Sequence, residues 1–381
     1  MKIGIDARCL VGGKRTGVEE YTINLLSKML NLDSSIKYKL FYNGYKKTKL
    51  EYSFLKLPNV QLKEYRIPNR LFDASFQFLN YPKIDKILKG IDIFFSPHIF
   101  SSAVSKKCKI VTTFHDLSFE SYPKFYSTGK NYWHFLMNPK KQAEKADKII
   151  AVSKSTKDDL IKTYGIRPEK IKVIYSGIRL GSGIWDLGSG ILKVKKKYNL
   201  PKKYILYLGT LEPRKNIIGL IKAFEILNTK YKILNTEYHL VIAGSKGWLY
   251  NDIFKIAKNS LVKNNIIFTG FIENKDKYVL YSLADLFVYP SFYEGFGFPP
   301  LEAMAYGTPV ITSNFSSLPE AVGGAAIMIN PYNLDELAKS MKMVLSDEHL
   351  QNNLIKKGFE QIKKFSWQRC AEETLEALKY A

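Results

Sequence analysis

Two glutamates in the second half of the chain are spaced in a way that suits the binding of a polyhydroxy ligand. Glu294 and Glu302 are separated by seven residues, and a Gly-Phe-Gly loop and two prolines lie between them. The prolines pre-set a helix start, so we expect Glu294 on a loop and Glu302 about one turn into the helix. Carboxylates accept hydroxyl hydrogens, and the amides of such a loop and helix N-terminus bind hydroxyl or phosphate oxygens.

A basic pair follows the apolar run YILYLG, which reads as a buried strand. Arg214 and Lys215 stand in the segment TLEPRKN, just beyond that strand. Doubly wound sheets bind their ligands at the carboxyl ends of strands. A guanidinium fork beside a point cation suits a diphosphate.

Two histidines also follow predicted strands, in the first half of the chain. His115 stands in FHDL, next to Asp116, and His98 stands in FFSPHIF. The position of His115 favours a site residue. For His98 a contact with the acceptor or the donor and a place in the core are equally plausible. Asp116 is interpreted as a group that orients His115 or as a loop cap.

Glycines 12, 13 and 17 follow the first predicted strand, where amides and a helix N-terminus can approach a phosphate. Their spacing is not G-x-G-x-x-G, which argues against an NAD-dependent oxidoreductase.

The elements that must position these residues alternate between short β-branched runs and amphipathic stretches, and the pattern restarts after residue 200. Repeated alternation of this kind predicts parallel sheets covered on both faces, here in two α/β domains. We assign residues 1–177 to the first domain, 178–362 to the second, and 363–381 to a helix that packs back on the first. The glycine-rich stretch 177–197 is read as a linker. The thirteen predicted strands cover residues 3–6, 39–42, 60–65, 91–95, 110–114, 148–152, 173–175, 204–208, 240–243, 266–269, 286–289, 310–312 and 326–329.

The charge of the chain is large and uneven. The net charge is +23, and residues 1–177 hold 32 Lys and Arg against 16 Asp and Glu. Such a field attracts anionic lipid headgroups, phosphorylated acceptors or nucleic acid. Nucleic acid ranks last, because 50 of the 58 cations are Lys and base readers rely on Arg.

The aromatic and basic segment 70–89 has the composition of an interfacial helix, with Phe72 and Phe76 expected to enter a membrane. The alternative is that these aromatics belong to the core. No signal peptide or spanning segment is recognised, and three scattered cysteines fit a reducing compartment. We therefore expect a cytoplasmic protein, peripheral on the inner face of the cytoplasmic membrane.

The segment from Tyr289 to Ile311 resembles the glutamate-x7-glutamate motif of the retaining GT-B glycosyltransferases of family four. The similarity runs from the glycine loop through AVSKSTKDDL and VIYSGI to the final helix. Within that family the chain most resembles the mannosyltransferase-like branch, through GIDAR, FHDL and GTLEPRKN. The resemblance implies two Rossmann-like domains facing a central cleft, and transfer of a hexose from a GDP- or UDP-sugar to a glycan or lipid-linked acceptor.

The resemblance also implies roles for individual residues. Arg214 and Lys215 would neutralise the leaving diphosphate without a metal ion or other cofactor, and no D-x-D triplet occurs in the chain. Glu294 would hold the transferred sugar, and His115 would face it. Donor binding would fall to Gly13 at the diphosphate, to the amides of Gly295, Phe296 and Gly297 at the sugar, to Glu302 at the ribose, and to Gly270, Phe271 and Ile272 at the base. The acceptor candidates are His98 and Asp116.

Thr210 and Ser176 depart from the family pattern. Thr210 stands where many relatives carry Arg, so more of the phosphate contact falls on Arg214 and Lys215; Ser176 replaces the usual Asn of a turn. The alternatives left open are a nucleotide-sugar-binding GT-B protein without transferase activity and a GT-B epimerase. A GT-B phosphorylase is not favoured, because the chain lacks the cofactor lysine signature of those enzymes.

Overall fold

The computed structural model describes residues 1–10, 17–44, 50–178, 188–231 and 238–381. These residues form two units. The first comprises residues 1–121, 128–177 and 365–381, and the second comprises residues 122–127 and 178–364. The short segment 122–127 therefore belongs to the second unit although the chain on both sides of it belongs to the first.

The described part of the first unit contains a seven-stranded parallel sheet in the order β3-β2-β1-β4-β5-β6-β7. Its strands are β1 (Lys2–Asp6), β2 (Lys37–Asn43), β3 (Val60–Tyr65), β4 (Ile93–Ser96), β5 (Lys109–Phe114), β6 (Lys148–Ala151) and β7 (Ile171–Val173). The helices are α1 (Gly17–Met29), α2 (Asn69–Ala74), α3 (Ile84–Ile87), α4 (Ser118–Ser121), α5 (Thr128–Met137), α6 (Pro139–Lys145) and α7 (Lys154–Tyr164), with the C-terminal helix Trp367–Lys379.

The described part of the second unit contains a six-stranded parallel sheet in the order β10-β9-β8-β11-β12-β13. Its strands are β8 (Tyr204–Leu208), β9 (His239–Ala243), β10 (Ile266–Gly270), β11 (Leu286–Tyr289), β12 (Val310–Ser313) and β13 (Ile327–Ile329). The helices are α8 (Gly188–Lys197), α9 (Ile217–Thr229), α10 (Asn251–Asn259), α11 (Lys277–Ser282), α12 (Phe298–Ala305), α13 (Leu318–Val322), α14 (Leu334–Ser346) and α15 (Glu348–Ile362); the C-terminal helix Trp367–Lys379 is α16.

The strand order fixes where ligands bind. In each sheet the order reverses beside the unit's first strand, between β1 and β4 in the first unit and between β8 and β11 in the second. Loops diverge at such a switch point and leave a crevice at the carboxyl ends of the strands. All thirteen predicted strands are present, within two residues at each end, so the doubly wound α/β prediction is confirmed.

The core of each unit is built from the apolar side chains of its sheet and helices. The sheet strands carry fully buried Ile, Leu, Val, Phe and Tyr side chains, such as Phe94 and Tyr207. On α16 the side chains of Trp367, Cys370, Ala371, Leu375 and Leu378 are buried, and the Trp367 ring lies 5.9 Å from the Tyr21 ring of α1. Cys9, Cys108 and Cys370 are buried free thiols.

Two predictions about the segment 70–89 are wrong. Phe72 and Phe76 do not project outward, because both are buried in a cluster with Phe41 and Phe94. The segment around them is also not one helix: α2 ends at Ala74, a π-helical turn spans Ser75–Leu79, and α3 begins at Ile84. The predicted linker contains a helix as well, since α8 covers Gly188–Lys197. None of the helices in the described residues is both long and apolar enough to span a bilayer.

Candidate active site

The basic pair lies on a short 3₁₀ turn, Pro213–Lys215, in the loop that follows β8. Proline at the start of this turn fixes its first φ angle, and Asn216 ends it in the left-handed conformation before α9 begins. The Asn216 side-chain amide donates to the carbonyl oxygen of Pro331 at 2.7 Å. The turn is thereby tied to a neighbouring loop, which orients both cationic side chains.

Lys215 and Glu294 form a buried ion pair at the switch point of the second sheet. The Lys215 Nζ lies 2.6 Å and 2.8 Å from the two Glu294 carboxylate oxygens, and it also donates to the Tyr289 hydroxyl at 2.8 Å. Lys215 follows β8 and Glu294 follows β11, and these two strands pair in parallel. The sequence-predicted residues therefore come together because adjacent parallel strands end at the same sheet edge.

Arg214 also donates a hydrogen bond to the Glu294 carboxylate. Its Nη1 donates to the Tyr293 carbonyl oxygen at 2.7 Å and to Glu294 Oε2 at 3.3 Å. Its Nη2 donates to Glu212 Oε1 at 2.9 Å, and Glu212 is buried. The four side chains thus form one network, with two cations and two carboxylates.

Glu294 is held in its ionised form by this network. Burial by itself raises the pKa of Glu294, but the charges of Lys215 and Arg214 and hydrogen bonds from Lys215 and Ser291 lower it to about 2. Burial and the nearby Arg214 charge lower the pKa of Lys215. The carboxylate is a preorganised acceptor whose oxygens already receive several donors.

The loop around Glu294 is fixed by three serines. The Glu294 amide donates to the Ser316 hydroxyl at 2.8 Å, and Ser317 donates to the Glu294 carbonyl oxygen at 2.8 Å. The Ser291 hydroxyl donates to the Glu294 carboxylate. Gly297 closes the loop at φ 108°, and α12 starts at Phe298 with the two prolines in its first turn. The predicted loop-then-helix geometry of this motif is present.

Glu302 lies apart from the ion-pair network, on α12. Its Oε2 accepts from the Tyr281 hydroxyl at 2.8 Å, and its Oε1 lies 3.7 Å from the Lys277 Nζ. Its side chain is about a quarter exposed, so its oxygens remain within reach of a ligand. The two glutamates of the motif therefore occupy different environments, one locked in ion pairs and one open at a surface.

The other predicted donor residues fall in separate places. Gly270 ends β10 at φ 72°, with Phe271 exposed and Ile272 buried after it. Gly295 follows Glu294 directly in its loop, and Phe296 next to it is buried. Gly13 lies outside the described residues.

The first unit brings His98 and His115 together at the ends of the neighbouring strands β4 and β5. Their ring centroids are 5.7 Å apart, and His115 Nε2 lies 2.8 Å from the Pro97 carbonyl oxygen. That oxygen only accepts, so Nε2 carries the hydrogen. Burial lowers the pKa of His115, although the Pro97 contact opposes the shift, and burial therefore favours the neutral imidazole.

His98 lies beside His115 with one ring nitrogen enclosed by protein. Its Nδ1 is buried and has no hydrogen-bond partner, and burial followed by the charges of His115 and His134 lowers its pKa to about 3. Asp116 Oδ1 accepts from the Ser118 amide at 3.1 Å and from its hydroxyl at 2.7 Å. Of the two readings of Asp116, these contacts fit the loop cap that precedes α4.

Both halves of the chain match models of one family of proteins. Residues 191–361 match the model of glycosyl transferases group 1, and residues 15–181 match that of glycosyltransferase family four. The chain is 32% identical over 289 residues to the O-antigen chain mannosyltransferase B of Escherichia coli, covering 75% of this chain and 72% of that protein. It belongs to glycosyltransferase family four.

Further relatives of this family-four glycosyltransferase are longer than the chain itself. The serotype-specific mannosyltransferase WbdA of Escherichia coli is 35% identical over 291 residues, which cover 74% of this chain but only 35% of WbdA. Among solved structures, a sucrose-phosphate synthase from Thermosynechococcus elongatus is 19% identical with a TM-score of 0.76, covering 100% of this chain and 98% of that one. Anabaena HepE, solved with UDP and glucose, is 19% identical with a TM-score of 0.70, and each chain is covered completely. These neighbours confirm the GT-B fold.

Several residues that build the site of this family-four glycosyltransferase were not predicted from the sequence. Glu212 and Asn216 lie within TLEPRKN, and Tyr289 and Ser291 lie within YPSFYE, so their motifs were recognised but their contacts were not. A close backbone approach was also missed. Gly244, at φ 141°, leaves no room for a Cβ, which would lie 1.9 Å from the Gly209 carbonyl oxygen.

The segment 122–127 of the second unit, here called the strap, rests on the residues that hold Arg214. The Phe125 ring stacks on Phe292 with 5.3 Å between centroids. The Trp248 indole Nε1 donates to the Phe125 carbonyl oxygen at 2.6 Å. The Phe292 amide in turn donates to the Arg214 carbonyl oxygen at 2.9 Å. The strap therefore supports the Arg214 turn through Phe292.

Proposed function

We propose that this glycosyltransferase is a retaining hexosyltransferase that moves mannose from GDP-mannose to a glycan or lipid-linked glycan. The observation that carries the proposal is the buried network of Arg214, Lys215 and Glu294 at the switch point of the second sheet. Two of its most similar relatives are named as mannosyltransferases, which is the basis for the choice of sugar.

The second unit is proposed to bind the donor. Arg214 and Lys215 would stabilise the charge that develops on the nucleoside diphosphate as the glycosidic bond breaks. These fixed cations would do so without a metal ion, and the chain would need no other cofactor. Glu294, with the amides of residues 295–297, would orient the sugar, Glu302 would bind the ribose, and the amides of residues 270–272 would bind the base.

The retaining outcome is proposed to arise from attack on the same face of the sugar that the diphosphate leaves. A double displacement needs a free nucleophile at that position. The Glu294 carboxylate instead accepts hydrogen bonds from Lys215, Arg214 and Ser291, which leaves little capacity for attack. Positioning and leaving-group stabilisation would then provide most of the rate enhancement.

The first unit is proposed to receive the acceptor. His115, neutral and donating to Pro97, keeps Nδ1 as an acceptor for a sugar hydroxyl. His98 offers a second buried imidazole beside it. The basic charge of residues 1–177 suits an acceptor carried on a lipid at the anionic inner face of the cytoplasmic membrane, where the protein would be peripheral.

Turnover of sugar nucleotides tests the proposal. Purified protein is incubated with GDP-mannose, and in parallel with UDP-glucose, with and without a chelator, and the anomer transferred to the acceptor is assigned by NMR. We expect turnover of GDP-mannose that survives chelation, with the α configuration of the donor retained. An inverted product, or activity lost to chelation and restored by magnesium or manganese, would contradict the mechanism. Binding of the donor without any turnover would favour the non-catalytic alternative.

A further inference from the structure

A turn on the surface of the first unit exposes large apolar side chains. Leu71, Phe78, Leu79 and Tyr81 are 67%, 74%, 72% and 66% exposed. Phe76, on the same π-helical turn as Phe78, is buried. The segment 71–81 thus has one set of apolar side chains in the core and another in solvent, and clustered exposed apolar side chains of this size mark interaction sites.

The apolar surface continues onto the neighbouring helix α5. Phe135 is 77% exposed and Tyr132 is 62% exposed. The two segments adjoin, because Phe76 and Gln77 of the turn line one shallow cavity together with Met137 and Lys141. The C-terminal end of α5 therefore lies beside the turn.

Lysines surround this region. Lys83 and Lys86 follow the turn, and Lys141 and Lys145 of α6 line the cavity. Burial, followed by the charges of Lys141 and Lys83, lowers the pKa of Lys145. Two acids of this segment are engaged inward: Asp73 pairs with the buried Arg8 at 3.2 Å, and Asp85 accepts from the Ser105 hydroxyl at 2.5 Å.

We infer that this apolar and basic surface, formed by Leu71, Phe78, Leu79, Tyr81, Lys83 and Lys86, docks on an anionic lipid bilayer. Its chemistry fits headgroups and acyl chains together, because cations are attracted to anionic headgroups and apolar side chains enter the interface. The inference deepens the proposed function and rests on it for the lipid-linked acceptor. It places the membrane contact on Phe78 and Leu79, and not on the buried Phe72 and Phe76.

Vesicle co-sedimentation with the full-length protein tests the inference. Vesicles of phosphatidylcholine with phosphatidylglycerol are compared with vesicles of phosphatidylcholine alone, at low and at high salt. We expect binding to the anionic vesicles that falls with salt. The double variant Phe78→Ser/Leu79→Ser should lower the partition coefficient by roughly tenfold or more, since each side chain loses part of its apolar transfer energy. Lys83→Glu/Lys86→Glu should have an effect of similar size.

Matched controls lie in the second unit. Leu261 is 79% exposed, and Leu261→Ser should leave vesicle binding unchanged. Lys255 and Lys258 on α10 are exposed and three residues apart, as Lys83 and Lys86 are, so Lys255→Glu/Lys258→Glu controls for the change in net charge. Equal losses in test and control variants would overturn the assignment of this surface, as would wild-type protein that stays in the supernatant at low salt.

A second readout separates this inference from the proposed function. Donor turnover is measured for the same variants in solution, without vesicles. We expect Phe78→Ser/Leu79→Ser to retain wild-type turnover with a water-soluble acceptor while losing vesicle binding. Turnover without vesicle binding in the wild type would overturn the docking surface and leave the transferase standing. Vesicle binding without turnover would sustain the docking surface and contradict the transferase.

Discussion

Lys215 Nζ lies 2.6 Å and 2.8 Å from the two carboxylate oxygens of Glu294, and both side chains are buried. The pair joins the loops after β8 and β11, so it is a structural tie as well as part of the candidate site. A buried ion pair is costly to break, because the remaining charge loses its compensation. Variants of this pair must therefore be measured for stability as well as for activity.

Lys215→Ala should reduce donor turnover by roughly 10²-fold or more, the scale of losing one preorganised electrostatic contact to a developing charge. The same change should lower the free energy of unfolding by about 3 kcal/mol or more, because Glu294 stays buried without its main partner. Turnover assays and urea denaturation measure the two effects.

The double variant Lys215→Ala/Glu294→Gln tests whether the loss of turnover in Lys215→Ala follows only from its loss of stability. Removal of both charges should restore part of the free energy of unfolding, since no uncompensated carboxylate remains. Turnover should stay low. Recovery of turnover along with stability would show that Lys215 acts only on the fold and has no contact with the leaving group.

Glu302→Ala should weaken the affinity for the free nucleoside diphosphate while the free energy of unfolding stays within about 1 kcal/mol of wild type, because this carboxylate is partly exposed. Titration calorimetry with GDP measures the affinity, and Glu348→Ala on the exposed start of α15 is the matched control. An affinity equal to that of the control would remove Glu302 from the ribose site.

The fold and the position of the site were predictable because strong local signals coincide with topology. The β-branched runs define the strands. Parallel neighbours end at the same sheet edge, so the residues that follow β8 and β11 meet there. Glu212 and Ser291 were not predictable as partners of Arg214 and Glu294. Their contacts depend on the conformations of two loops distant in sequence, and no periodicity encodes those.

The exposed aromatics show a different limit. An α-helical period over residues 70–81 groups Phe72 with Phe76, and both do lie on one face. That face is the core side, and the π-helical turn Ser75–Leu79 changes the phase after Phe76, so that Phe78 and Leu79 point outward. Composition indicated an apolar and basic segment, but which of its aromatics meet solvent depended on packing against Phe41 and Phe94.

The histidine pair predicts how stability depends on pH. Burial, with smaller contributions from His115, His134 and Arg8, lowers the pKa of His98 to about 3 from an ordinary value of 6.5. In the unfolded chain His98 takes up a proton below pH 6.5, whereas in the folded protein it stays neutral down to about pH 3. Stability from this group is therefore complete above pH 6.5 and is lost progressively as the pH falls below it.

His98→Gln removes this linkage. Between pH 7 and pH 5 the wild type should lose about 2 kcal/mol more of its free energy of unfolding than the variant does. Urea denaturation at both pH values gives the difference, and the shared contributions of other groups cancel in it. If both proteins lose the same free energy of unfolding between pH 7 and pH 5, His98 takes up its proton in the folded state as it does in the unfolded chain.

The strap gives the last prediction, which concerns a residue outside the recognised motifs. The Trp248 indole donates to the Phe125 carbonyl oxygen, and its ring stacks on Tyr126 with 5.4 Å between centroids. Trp248→Phe keeps an aromatic ring in place but removes the donor. Loss of one such hydrogen bond costs about 1 kcal/mol, which would loosen the strap from Phe292 and from the Arg214 turn behind it.

We expect Trp248→Phe to lower kcat about fivefold with little change in the KM for the donor, because Arg214 is assigned to the developing charge on the leaving group and not to ground-state binding. Steady-state kinetics with a sugar nucleotide measure both constants. Phe254→Leu, an aromatic change on α10 in the same unit, controls for a general loss of packing. A rise in KM at unchanged kcat would show that the strap contacts the donor itself, and equal effects in both variants would show that it serves only the core.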